Sequence, residues 1–196
     1  MTRNSDIVVV DVETSGVNPF RHSILSVAFV PLDPRIRSLV VHIRPPVLEW
    51  ADLAKANFAK FSSEWDRLAV EPHAACDVIE SYLANVNDGE RVTPCGHNVG
   101  FDIAFLRQLA FWGGRDQLAN LGHRAIDSHT LLYILHLMNL VPSSALSSDG
   151  AFKHFGIEVD EAVRHTAEAD ASATRELLLK MLELFGADKE LSSLAR

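Results

Sequence analysis

Asp11, Glu13, Asp102, His165 and Asp170 are the residues whose types and spacing could do chemistry in this chain of 196 residues. Asp11 and Glu13 sit two apart in Val9-Val10-Asp11-Val12-Glu13-Thr14-Ser15-Gly16, directly after the apolar run Ile7-Val8-Val9-Val10. The β-branched residues favour a buried strand. On a strand, alternation sends both carboxylates to one side and returns Val12 to the core. Two like charges repel, and leaving them unpaired beside a core is costly. A divalent cation resolves the conflict, because hard oxygen ligands suit Mg²⁺ and Mn²⁺. Thr14-Ser15-Gly16 then ends the strand with residues that let the chain turn close to a ligand. The same stretch fits an acidic strand end left in water, so the pair needs partners from elsewhere.

Two further segments offer them. Gly96-His97-Asn98-Val99-Gly100-Phe101-Asp102 crosses from a strand into a helix, and Asp102 falls in the first turn, where the helix dipole favours an acid. His97 and Asn98 read as groups that fix the loop rather than as ligands. Arg164-His165-Thr166-Ala167-Glu168-Ala169-Asp170-Ala171 opens the last helix. Were His165 and Asp170 both helical, five residues at about 100° each would set them about 140° apart. They meet only if His165 stands ahead of the helix. Small residues at 167, 169, 171 and 173 let that helix pack close to a sheet.

The elements that must position these groups follow from the hydrophobic pattern. Strands are expected at the first apolar run, at 23–30 and at 38–43, with short links that favour an antiparallel meander. Residues 48–66 are helical in character with an imperfect period, and no chemistry is placed there. Helices follow at 73–86, 101–112, 128–138 and 166–185, with short strands at 91–95 and 125–127. Residues 142–150 read as a polar loop, with a short helix at 152–155 ended by Gly156. The order implies one α/β domain over 1–196 with a mixed sheet.

Composition narrows the class. Apolar residues make up 47% of the chain, enough for a substantial core. No apolar run reaches the roughly 18 residues of a membrane span, and residues 1–5 lead into the first strand without a signal-like stretch. Cys76 and Cys95 are too few for a disulfide framework or a cysteine zinc site, so a reducing cytoplasm is expected. A net charge of −8 argues against coating long duplex through the overall field. Arg21, Arg107, Arg115, Arg124 and Arg164 could guide a short strand locally, or simply be solvated surface.

Taken together, the stretches 11–16, 97–102 and 165–170 resemble the three exonuclease motifs of the DEDDh exonucleases. That family includes ribonuclease T, oligoribonuclease and the proofreading epsilon subunit of bacterial DNA polymerase. The resemblance runs from about Ile7 to Leu179, supported by Ile126-Asp127-Ser128 and Phe155-Gly156-Ile157. It implies a ribonuclease-H-like fold: a mixed five-stranded sheet, its first three strands antiparallel, flanked by helices. It implies a 3′→5′ exonuclease releasing nucleoside 5′-monophosphates, with two Mg²⁺ or Mn²⁺ held by Asp11, Glu13, Asp102 and Asp170. His165 would be the general base, since imidazole is the side chain that titrates nearest neutrality. Thr14 and Val17 would meet the terminal nucleotide, and Phe101 either stacks beside it or packs in the core. The acidic balance points to a single-stranded or frayed 3′ end of DNA or RNA. Ser15 replaces a threonine common in the family, and residues 47–70 depart from its usual segment. A non-catalytic module that holds nucleic-acid ends, and a hydrolase of small phosphoesters, are the alternatives. Whether the chain works alone, as a homodimer or with a polymerase is left open.

Overall fold

A computed structural model describes residues 6–160 and 162–185. The chain begins with strands β1 (Ile7–Thr14), β2 (Ile24–Pro31) and β3 (Leu39–His42), each antiparallel to the next. Two short helices, α1 (Asp52–Phe58) and α2 (Ser62–Leu68), precede the longer α3 (Pro72–Val86). Then come β4 (Thr93–Gly96), α4 (Gly100–Trp112), β5 (Ile126–Asp127), α5 (Ser128–Leu137), α6 (Ser148–Phe155) and α7 (Ala167–Leu184). The sheet order is β3-β2-β1-β4-β5, with β4 parallel to both β1 and β5. The expected mixed five-stranded sheet, with its antiparallel first three strands, is present.

Alternation along β1 decides what each face of the sheet holds. Val8, Val10 and Val12 pack with Ile79 and Leu83 of α3 and with Phe105 and Leu109 of α4. Val9 points the other way, into a second core with Leu132 of α5 and with Ala171, Leu177 and Leu178 of α7. Asp11 and Glu13 share the parity of Val9, so they project toward the layer that contains α7. Ala171 is fully buried and Ala173 nearly so, which lets α7 lie close against β1 and β2.

Residues 48–66 resolve into two short helices because neither presents a full apolar stripe. Helix α1 buries no residue completely, and α2 buries only Trp65. The Trp65 indole nitrogen donates to the carbonyls of Leu25 and Ile43, at 3.1 and 2.9 Å, and so anchors the segment to the sheet. The stretch 142–150 differs from the polar loop expected of it. Ser143–Leu146 forms a 3₁₀ turn, and α6 starts at Ser148, four residues ahead of the expected position. Serine favours loops, yet it also caps helices: the Ser147 hydroxyl accepts from the Gly150 N–H at 3.2 Å. No helix among the described residues is long and apolar enough to cross a membrane.

Candidate active site

Asp11, Glu13 and Asp170 offer carboxylate oxygens that all lie within 4.8 Å of one another. Two come from β1 and the third from the first turn of α7. The strand brings its pair to the place where pairing breaks: the β1–β2 register shifts between Glu13 and Thr14. Such irregularities re-aim side chains beside functional sites. Strand β1 also outruns its parallel neighbour, since pairing with β4 ends at Val9↔Cys95. The cluster thus lies at the carboxyl end of the central strand, where open α/β sheets leave a crevice.

Asp102 comes from the opposite layer, on α4, and is not one of the three converging acids. Its Oδ1 accepts from the Val12 N–H at 3.0 Å, taking up a backbone donor that β4 no longer reaches. It is 4% exposed, and after burial its charge is the largest influence raising the Asp11 pKa. Burial also pushes Asp102 itself up to about 8, against hydrogen bonds from backbone N–H groups that lower it. Glu13 is raised to about 8, by burial first and then by Asp170, while Arg164 and Lys60 offset part of this. Asp11 is held well above the ordinary carboxylate range by burial, Asp102, Glu13 and Asp170. These acids resist ionising together, and a cation among them would remove the conflict. The donor set fits Mg²⁺ or Mn²⁺: hard oxygens, closely convergent, whose mutual repulsion Arg164 and Lys60 offset only in part.

His165 stands ahead of α7, as its spacing from Asp170 requires, and adopts φ +65°. That left-handed conformation costs a side-chain-bearing residue free energy and needs support from its surroundings. The Lys60 ammonium donates to the Arg164 carbonyl at 2.7 Å, directly before the strained residue. His165 remains 45% exposed, with Nδ1 3.9 Å from Asp170 Oδ2. Its ring faces the cleft rather than the core.

Arg164 is not the solvated residue that its sequence context allows. Its guanidinium donates to Asp170 and, at 2.6 Å, to Asp149, and lies over the Phe152 ring at 5.3 Å. It neutralises one of the converging acids. Arg115 is likewise committed, to Asp77 and Glu80, and Arg21 to Glu49. Arg107 and Arg124 are exposed.

The other expected site residues line the same cleft of about 280 Å³: Thr14, Val17 and Phe101. Val17 is 79% exposed at its rim. Thr14 spends its hydroxyl proton on the Gly16 carbonyl at 2.8 Å, shaping the turn. Phe101 does both things expected of it, facing the cleft and packing on Phe105 with ring centroids 5.0 Å apart. Ser15 is fully buried: its hydroxyl accepts from the Ser23 N–H at 2.9 Å, and its carbonyl accepts from Ala51 N–H at 2.8 Å. His97 and Asn98 fix their loop as expected. The His97 Nδ1 lies 3.1 Å from the Ser128 hydroxyl, and Asn98 donates its N–H to Asp127 at 2.9 Å.

Sequence reasoning missed Lys60, Asp149 and the cleft wall built by Ala51, Leu53 and Asn57 of the 47–70 segment. No spacing in the sequence connects them to the acids. They arrive by tertiary packing alone.

A β3-β2-β1-β4-β5 sheet clothed by helices, with acids at the carboxyl end of its central strand, defines a ribonuclease-H-like fold carrying an acidic centre. No family model matches the chain. Solved structures of exonuclease I share the fold. A zinc-bound complex of Escherichia coli exonuclease I with single-stranded DNA superposes with a TM-score of 0.74 at 18% identity, covering 95% of this chain and 42% of that one. The E. coli enzyme in complex with a dT13 oligonucleotide gives 0.69 at 19% identity, covering 90% and 40%. A moderately thermophilic exonuclease I from Methylocaldum szegediense gives 0.69 at 15% identity, covering 90% and 40%. The chain therefore spans about two-fifths of the length of these neighbours.

Proposed function

We propose that this protein is a metal-dependent 3′→5′ exonuclease of the DEDDh class, acting on single-stranded or frayed nucleic-acid ends. The observation that carries the reading is the convergence of Asp11, Glu13 and Asp170 beside a histidine that faces the same cleft. The neighbours' complexes with single-stranded DNA and with zinc ion support the substrate class and the need for a metal.

Asp11, Glu13 and Asp170 would hold divalent cations, with Asp102 contributing through the oxygen that Val12 does not engage. When bound, two such ions polarise the phosphate and lower the pKa of a water. His165 accepts the proton of the water that attacks phosphorus. The bond from phosphorus to the 3′ oxygen of the penultimate nucleotide breaks. A nucleoside 5′-monophosphate leaves, and the departing 3′ oxygen takes a proton from solvent to become the strand's new 3′-hydroxyl. Arg164, bonded to both Asp170 and Asp149, would stay paired with Asp149 were Asp170 to turn to a cation, so no buried charge would be stranded. Val17 and Phe101 receive the terminal base, and the Gly16 turn brings the backbone near the sugar. A non-catalytic end-binding module would have no use for His165 beside the acids.

The test is a 5′-labelled single strand incubated with Mg²⁺ or Mn²⁺. The reading expects stepwise shortening from the 3′ end, abolished by EDTA, by Asp11→Asn and by a bulky 3′ cap, but not by a 5′ cap. Internal cuts in a circular single strand would overturn it.

A further inference from the structure

A second cavity, of about 580 Å³, is walled by two elements that also line the carboxylate cleft. One wall is α4, which presents Phe101 to the cleft and then Ala104, Arg107, Gln108 and Phe111 to the cavity. The other is the loop after β1, which presents Gly16 and Val17 to the cleft and Phe20 to the cavity. Gln108 lies about 10 Å along the helix axis from Phe101, at 1.5 Å per residue. The volume is within the range of pockets that hold small organic groups.

The cavity is built rather than incidental. Gln108 Nε2 donates to the carbonyls of Pro19 and His22 at 2.5 and 2.8 Å, and its Oε1 accepts from the Ile24 N–H at 3.2 Å. His22 Nδ1 accepts from the Asn18 N–H at 3.0 Å, closing the loop on itself. These bonds hold apart two aromatic rings that the core does not use: Phe20 is 96% exposed and Phe111 77%. Arg107 is exposed on α4 one turn before Phe111, lines the same cavity, and makes no ion pair among the described residues. In a chain of net charge −8, Arg107 thus sets an unpaired positive charge in the same cavity as two exposed aromatic rings.

We propose that this cavity is a subsite for the nucleotides upstream of the 3′ terminus, stacking bases on Phe111 and Phe20 and pairing a phosphate with Arg107. The proposal rests on the exonuclease reading for the direction of the strand. Stacking on an aromatic face accepts any base, and a nearby arginine tracks the backbone, which is how sequence-tolerant single-strand grooves work. A duplex end cannot use the cavity without unstacking, so the subsite also selects single strands. An apolar peptide would fill the volume but leave Arg107 unmatched, which is why the observations favour a polynucleotide.

Fluorescence anisotropy of a 5′-labelled oligothymidine of about six nucleotides, with the full chain in EDTA, reads binding without turnover. Phe111→Ala is expected to weaken binding about tenfold, the loss of one base stack, with the salt dependence unchanged. Arg107→Ala is expected to flatten the plot of log K against log salt by about 0.7, the loss of one single-strand phosphate contact. Arg91→Ala, an exposed arginine elsewhere, changes neither. Phe111→Ala leaves a dinucleotide's binding as it was, because the dinucleotide does not reach the cavity. Variants that bind the longer strand like the parent, or that lose equally on the dinucleotide, overturn the subsite. Capture of an apolar peptide by the cavity, with no salt slope for the strand, overturns it as well. Turnover that persists without any dependence of binding on Phe111 or Arg107 removes the subsite and keeps the exonuclease. The expected binding pattern with no turnover on any strand does the reverse.

Discussion

Replacing Glu13 by Gln should stabilise the metal-free protein at pH 8 and change little at pH 4.5. Burial and the Asp170 charge raise the Glu13 carboxyl from its ordinary 4.5 to about 8. A carboxyl raised in the folded state contributes stability that is fully present below about pH 4.5 and is lost as pH climbs through 8. At about 1.4 kcal/mol per pH unit, that interval sets a ceiling of about 5 kcal/mol on the cost of ionisation. Asp11 and Asp102 are raised as well, so the cost is shared when the three titrate together. A net gain of about 1–3 kcal/mol for Glu13→Gln is therefore expected at pH 8, or roughly 2–10 °C in Tm for a domain of this size. Thermal melts in EDTA at the two pH values measure it. Adding Mn²⁺ at pH 8 should raise the parent's Tm and raise the variant's less. A variant that melts below the parent at pH 8, or differs from it equally at both pH values, would refute the electrostatic reasoning.

His165→Ala should lower the hydrolytic rate by roughly 10²–10⁴-fold while calorimetry shows Mn²⁺ affinity nearly unchanged; loss of Mn²⁺ binding would make His165 a ligand instead of the base. Lys60→Met removes a cation that lowers the Glu13 pKa, so its Tm in EDTA should fall further at pH 8 than at pH 4.5. An equal fall at both would mean that only packing was lost. Gly16→Ala places a Cβ 2.5 Å from the His22 ring, which is held by the Asn18 N–H. It should cost about 1–3 kcal/mol in a melt, and an unchanged Tm would mean that His22 swings away freely.

Local pattern made some of the site legible and tertiary convergence hid the rest. The alternation of Val10, Asp11, Val12 and Glu13 is a two-residue rule, and the fold obeys it: Val12 is buried and both acids share a face. The helical angle likewise put His165 ahead of α7, where its positive φ now holds it. Asp102 was correctly placed in the first turn of α4, but its bond to the Val12 N–H spans ninety positions and has no sequence signature. Arg164 looked like any surface arginine, because Asp149 lies in a serine-rich stretch that itself read as loop. The 47–70 segment was opaque for a physical reason. Its two short helices bury almost nothing individually, so they carry no strong period, and their value lies in delivering Asn57 to the cleft wall and Lys60 to the Arg164 carbonyl.

The most direct test of the central claim is a crystal of the protein soaked in Mn²⁺ and measured at the manganese absorption edge. An anomalous peak is expected, bounded by the carboxylates of Asp11, Glu13 and Asp170, with Arg164 withdrawn from Asp170 and still paired with Asp149. A further peak on the Asp102 side would establish the second ion. A map with no peak among the three acids, and Arg164 still seated on Asp170 at saturating Mn²⁺, would contradict it.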